Sequence, residues 1–486
     1  MNYNRKVLLL SVSLLLAGVT NLRAQDTDTV YVAIDDHPNA GYYLPAPPAI
    51  DDMNYVDDLL QWQWGKTQRN TPRGEKASRE SQWLPDIMRV VMAEVFGLDT
   101  ISNEQTPALY RLIWKAYNTG DKSAVSPKKK YMRIRPFMEM GEDTWAMYDD
   151  DYLRTNGSYP SGHTAFGWAT ALVMAEMWPE LQDTILRRGF EFGENRIITG
   201  AHYQSDVNAG YLCSAGSIAR AHTNPELAKD IAAARAELIR IKGLPKDYDP
   251  VSRAGLPHGC KILNAPVDTT CYRYLGDIMR YKKAKMQRTD TVRLQQAIDD
   301  VASHKRYLGK TFGNELGITI SREKTPAIWQ LLDTLQGASR DNTREVKYSI
   351  FRKRPYVQLQ DTTPVPEEEE SHIASSSYPS THACIGWTVA LALAEVAPER
   401  QDDVLRRGFD YGQSRLILGY HWATDIEASR LLACALVARL HADSCFVELL
   451  RQARAEYLRQ VNERVTLTAS DCQQMNLMVI ELSKPE

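Results

Sequence analysis

Apolar positions along the chain recur mainly at helical spacing. Ala165–Met177 (AFGWATALVMAEM) and Cys384–Val396 put apolar residues over more than half of a helix surface, as fully buried helices do. Thr184–Phe192 and Pro225–Ile241 instead keep charged residues on an outer face, the pattern of helices that flank a core. Alternation at period two is scarce. The pattern predicts an all-α fold. An earlier apolar run, Val7–Thr20, follows Arg5 and Lys6 and precedes Leu22-Arg23-Ala24, so residues 1–24 read as a cleavable signal peptide and predict a periplasmic or secreted protein. Beyond it no uninterrupted apolar run approaches the ~20 residues that span a bilayer.

The same words occur twice. Thr106-Pro107-Ala108 returns as Thr325-Pro326-Ala327, Leu186–Phe190 as Leu405–Phe409, and Arg235-Ala236-Glu237 as Arg454-Ala455-Glu456, always 219 positions later. A period this long means two whole domains and not a solenoid, whose units are far shorter. We therefore expect a first domain at 25–241, a Pro- and Gly-rich linker at 242–270, a second domain at 271–457 and a tail at 458–486. The two copies could pack as an internal pseudo-dimer.

Composition narrows the function classes. With 486 residues, 43% hydrophobic and 24% charged, the chain has ample material for packed cores. Its 58 basic and 61 acidic residues balance, which leaves no nucleic-acid footprint. Seven cysteines leave at least one unpaired, and Cys260 with Cys271 could close a short loop in an oxidising compartment. There is no Cys/His cluster with metal spacing, so no metal or other cofactor is expected.

Three motifs carry chemistry, and each keeps the 219 offset. The first is Lys128-x6-Arg135-Pro136, repeated with Lys347 and Arg354. The second runs Gly157–Thr164 (GSYPSGHT) and holds Ser161, Gly162 and His163; its partner is Ser376–Ala383 with Ser380, Thr381 and His382. The third is Arg196-x5-His202-x3-Asp206, repeated with Arg415, His421 and Asp425. Taken singly, these read as a charge run, a turn into a helix and an exposed helix pair. Taken together they make a cationic pocket for a tetrahedral oxyanion, with Arg forks, a Lys, a hydroxyl and a helix-end amide. Four residues is about one helical turn, so Asp206 can hold one nitrogen of His202 and leave the other to attack. His163 can then protonate a leaving oxygen. The sum is phosphoryl transfer without a metal.

This set resembles the signature of the type 2 phosphatidic acid phosphatase and vanadium haloperoxidase superfamily. GSYPSGHT, Tyr131–Phe137 (YMRIRPF) and Gly412–Asp425 (GQSRLILGYHWATD) are similar, more narrowly, to bacterial class A non-specific acid phosphatases. The resemblance implies two tandem helical bundles, secretion to the periplasm, hydrolysis of small phosphate monoesters and no required metal. It further implies that His202 becomes the phosphohistidine, His163 the acid and Asp206 its orienting partner, while Lys128, Arg135, Ser161, Gly162 and Arg196 hold phosphate. The same roles map onto His421, His382, Asp425, Lys347, Arg354, Ser380 and Arg415 in copy two. There Thr381 replaces the motif glycine. If that position needed positive φ or a close phosphate, a β-branched residue would weaken the site, which favours copy one. A vanadate-dependent haloperoxidase, or one copy acting as a non-catalytic binding scaffold, remains open on the motifs alone.

Overall fold

The computed structural model describes residues 29–81, 85–146, 150–301 and 305–462, so the segment read as a signal peptide lies outside it, as does Cys472. Among the described residues only helices, turns and loops occur. The first repeat is built on α1 (Tyr55–Gln68), α2 (Pro107–Ser123), α3 (Gly162–Met177), α4 (Gln182–Ile198), α5 (Gln204–Ala221) and α6 (Pro225–Ile241). Their counterparts are α7 (Tyr274–Met286), α8 (Pro326–Ser349), α9 (Thr381–Val396), α10 (Gln401–Ile417), α11 (Ala423–His441) and a helix over 444–462, which runs past the boundary expected at 457.

The helices predicted to be apolar over more than half of their surface sit at the centre. Every residue of α3 is buried, and α2, α4 and α5 pack around it; α9 holds the same place among α8, α10 and α11. Close approach is possible because α4 and α10 present a glycine there. A Cβ on Gly189 would stand 2.4 Å from the Ala171 Cβ, and one on Gly408 2.3 Å from that of Ala390. The repeated Arg-Ala-Glu word now has a physical reason. Arg235 donates to the Met177 and Glu176 carbonyls at the end of α3, while Glu237 accepts from the Ala108 and Leu109 amides at the start of α2. One helical turn thus satisfies orphan groups at two helix ends. Arg454 and Glu456 do the same for α9 and α8.

The repeats share one apolar core that includes both Trp168 and Trp387. Helices α3 and α5 lie against α9 and α11, and α1 lies against α7. Positions related by 219 meet face to face. Asn208 donates to Glu427 at 2.7 Å, and the His222 and His441 rings stack at 3.7 Å. Between the repeats, Tyr248 stacks on Trp178, and Arg439 of α11 donates to the Gly255 carbonyl.

One expectation is corrected. Cys260 and Cys271 are separate thiols, as are the four other described cysteines. Cys260 belongs to a short helix, Gly259–Ile262, docked against α8, whereas Cys271 lies in the turn that enters α7. No described helix is long and apolar enough to cross a membrane.

Candidate active site

The motif residues of each repeat converge at the N-terminal ends of two helices. Ser161 caps α3, its Oγ accepting from the Thr164 amide and hydroxyl, which leaves its own proton available. Ser380 caps α9 likewise. His202 stands just before α5, whose first turn contains Asp206; His421 and Asp425 repeat this before and within α11. Gly162 is an ordinary first helical residue without positive φ, and so is Thr381. The conformational argument against Thr381 therefore falls. Its hydroxyl is tied to that of Thr343 at 2.9 Å.

Around His202 the hydrogen bonds fix a tautomer. Arg135 Nη1 donates to Nε2 at 2.9 Å, so that nitrogen carries a lone pair, and Nδ1–H points at Ser158 Oγ, 3.3 Å away. Ser158 in turn donates to Asp206 at 2.5 Å. The expected direct bond from Asp206 to His202 is not made, because their nearest atoms are 3.7 Å apart and the serine bridges them. In repeat two His421 Nδ1 donates instead to the Ser377 carbonyl at 2.7 Å, and Arg354 donates to Nε2 at 3.2 Å. Both geometries present Nε2 as the free base. His163 and His382 donate Nε2–H to the carbonyls of Ser81 and Val301, so any proton they pass on leaves from Nδ1.

Burial sets the electrostatics. It pushes His202, His163, His421 and His382 well below the ordinary histidine range, and neighbouring arginines push the same way. Lys128, which donates to the Gly157 carbonyl, is also held well below its usual value, and Lys347 falls to about 7. Arg196 drops to about 9 because it is buried and close to Arg135. Its Nε and Nη1 have no partner, and neither do those of Arg415. Buried donors are ordinarily satisfied. Two unpartnered guanidinium N–H groups beside a lysine and a second arginine form a receptor for an oxyanion, and charge on that anion would restore full protonation of the cations.

The sequence reading missed a second layer. Arg133 bridges Asp206 at 2.7 Å and Asp58 at 2.8 Å, and Asp58 also accepts from the Ser205 amide and hydroxyl at the start of α5. Arg352, Asp425, Asp277 and Thr424 repeat this. The signal was present, since Asp58, Arg133 and their partners keep the 219 offset. The repeats also differ. Tyr420 covers Arg415 with its ring, 4.5 Å away, where Ala201 offers nothing to Arg196. Among the described residues, one group outside the site brings potential metal ligands together: His222, Glu395 and His441. Its two rings are stacked 20° from parallel, so their in-plane lone pairs do not converge on one ion.

Comparison with known proteins agrees with this geometry. The PAP2 superfamily model matches residues 119–227 and again 334–444. A non-specific acid phosphatase of Providencia stuartii is 41% identical over 200 residues, 41% of this chain and 80% of the relative. Another from Salmonella typhimurium is 36% identical over 221 residues, 45% of this chain and 88% of the relative. An acid phosphatase of Zymomonas mobilis is 41% identical over 208 residues, covering 42% and 78%. Each such relative matches about one repeat's length of a chain that carries the site twice, and the chain belongs to the PAP2 superfamily, in its non-specific acid phosphatase family, as a tandem duplication.

Proposed function

We propose that this protein is a secreted phosphatase that hydrolyses small phosphate monoesters through a phosphohistidine, with most turnover in the first repeat. The observation that carries the reading is the pair of unpartnered, buried N–H groups on Arg196, set with Lys128 and Arg135 around the free Nε2 of His202. The ester phosphate takes those donors and draws Arg135 off Nε2. The charge of the bound phosphate also raises His163, so that it takes up a proton on Nδ1 from solvent before the step. His202 Nε2 then attacks phosphorus in line; the N–P bond forms, the P–O ester bond breaks, and His163 gives that Nδ1 proton to the leaving alkoxide. Water follows the same path in reverse. Its oxygen bonds phosphorus, its proton returns to His163, and the N–P bond breaks to release phosphate. Ser158 and Asp206 hold the Nδ1 proton throughout and stabilise the imidazolium character that grows on His202.

The first repeat is favoured because the Tyr420 ring lies over Arg415 at 4.5 Å in the second, whereas the matching position beside Arg196 is Ala201. The units at 25–241 and 271–457 each carry one site, and the paired positions at the shared core support an internal pseudo-dimer. Secretion rests on the first 24 residues.

The test is p-nitrophenyl phosphate hydrolysis by the mature chain without added metal. Turnover that vanadate inhibits is expected, since vanadate fits the same donors. Bromide oxidation requiring added vanadate, with no ester hydrolysis, would replace this reading by a haloperoxidase. A pH profile gives a second check. Because burial holds His202 well below its ordinary value of about 6.5, the neutral nucleophile persists into acid. The acid limb of kcat/KM should fall clearly below pH 6.5, and a limb above pH 7 would contradict the assignment.

A further inference from the structure

We propose that Arg280, a residue of the second repeat, is a positioning residue for the active sites of both repeats. It closes a chain of buried ion pairs that runs from Asp206 at one site to Asp425 at the other. This inference rests on the histidine–aspartate roles given above.

The chain can be followed pair by pair. Asp206 is held by Arg133, and Arg133 by Asp58 of α1. The preceding residue, Asp57, crosses the boundary between repeats and pairs with Arg280 of α7 at 3.1 Å. Arg280 also pairs with Glu427 of α11, which accepts from Asn208 of α5. One turn before Arg280 on the same helix stands Asp277, which holds Arg352, and Arg352 holds Asp425. Asp57, Asp58, Asp277, Asp206 and Asp425 are all buried. Asp57, Asp58, Arg280 and Glu427 line a cavity of about 150 Å³ between the repeats, walled by apolar groups such as Leu44, Phe409 and Ile426. Charges in such surroundings are screened weakly and act over several ångströms.

Arg280 has no twin. The position 219 residues earlier is Gln61, the counterpart of Asp57 is Gly276, and that of Glu427 is Asn208. Two identical repeats would set like charges against each other across the boundary; here they have diverged so that one guanidinium pairs with two carboxylates. A Cβ on Gly276 would meet the Asp57 carboxylate at 2.3 Å, so the glycine admits Asp57 to its pair. Burial pushes Asp57 and Asp58 up to about 6, against the pull of Arg280 and Arg133 respectively, while Glu427 and Asp277 raise Asp57 and Asp206 raises Asp58. With their arginines in place these carboxyls are ionised near neutral pH and take up protons only as pH falls through about 6; losing the arginines pushes them higher still. Without Arg280, Arg133 is drawn further toward the Asp57–Asp58 pair and loosens its hold on Asp206. A less committed Asp206 raises the His202 pKa, and the same reasoning through Asp277 and Arg352 applies to His421.

The experiment uses the full mature chain with Arg280→Gln and Arg280→Lys, each in backgrounds that keep one site only (His421→Ala or His202→Ala). Arg280→Gln should lower kcat about 3- to 10-fold in both backgrounds, leave KM within about twofold and move the acid limb to higher pH; Arg280→Lys should restore most of the loss. Tyr43→Leu, which weakens the packing of Tyr43 on Trp387 at the same boundary without touching the ion pairs, should leave the acid limb in place. An unchanged limb in Arg280→Gln, or the same shift in Tyr43→Leu, overturns the proposal. Histidine NMR titration separates this from failure of the phosphatase reading. Even in a chain that hydrolyses nothing, His202 and His421 should titrate higher in Arg280→Gln, and unmoved titrations overturn the coupling alone.

Discussion

Replacing both His202 and His421 by alanine should abolish p-nitrophenyl phosphate hydrolysis, with kcat/KM falling at least about a thousandfold, as happens when a covalent nucleophile is removed. The expectation follows from geometry more than from motif. Each histidine is the group whose Nε2 lone pair lies inside the arginine cluster, held there by Arg135 or Arg354. His163 and His382 cannot substitute, because their Nε2 atoms are engaged by backbone carbonyls. The single variants divide the activity. His202→Ala should remove most of it and His421→Ala the smaller part, since the Tyr420 ring covers Arg415 while Arg196 has no such cover. A chain that loses activity only with His421→Ala would reverse the ranking of the repeats. Survival of activity in the double variant would dismiss the phosphohistidine altogether. A malachite-green assay of released phosphate, with circular dichroism to confirm the fold, reads all three.

Fold class and pocket were legible for different reasons. The burial of α3 and α9 is written in their composition, because a helix apolar on all sides has only one stable place. The motif residues stood out because they recur together. Arginine, histidine and aspartate at fixed spacing survive duplication when surface residues drift, and a 219-residue offset made the survivors visible without any other sequence. What escaped was geometry between distant segments. Nothing in the spacing of His202 and Asp206 shows that Ser158, more than forty residues away, comes between them. The reading of Thr381 failed for a related reason. A glycine before a histidine can signal positive φ or merely a need for space, and only the backbone distinguishes them. Cys260 and Cys271 could close a loop by their closeness in sequence, yet the helix of the first is docked between α4 and α8 while the second lies in the turn that enters α7. Asp58 was overlooked because the two acids in the first turn of α1, Asp57 and Asp58, look like ordinary helix-dipole residues. Its partner, Arg133, completes the meaning.

That pair gives the second large effect. Arg133→Met should cost about 3–5 kcal/mol of stability near neutral pH, the usual penalty for stripping one partner from a buried ion pair. It should also lower kcat at the first site by up to about 100-fold, because Asp206 then loses the contact that fixes its carboxylate. The pH dependence distinguishes this from simple loss of packing. In the parent, Asp206 is held far below the carboxylate range with Arg133 as the principal stabilising charge, so its contribution is complete above about pH 4 and is lost only as strong acid protonates it. Asp58 behaves oppositely. Burial pushes it up to about 6, so the fold binds its proton more tightly than the unfolded chain does, and stability declines as pH rises from about 4 to about 6. Without Arg133 both carboxyls shift upward, and both gain from protonation. The deficit of Arg133→Met in urea unfolding should therefore be greatest at pH 7 and shrink steadily toward pH 4, where neutral carboxyls no longer need a counter-charge. A deficit of constant size across that range would mean that the arginine serves only as packing. In that case the charge link from α1 to Asp206 would have no energetic content, and the coupling assigned to Arg280 would lose its first step.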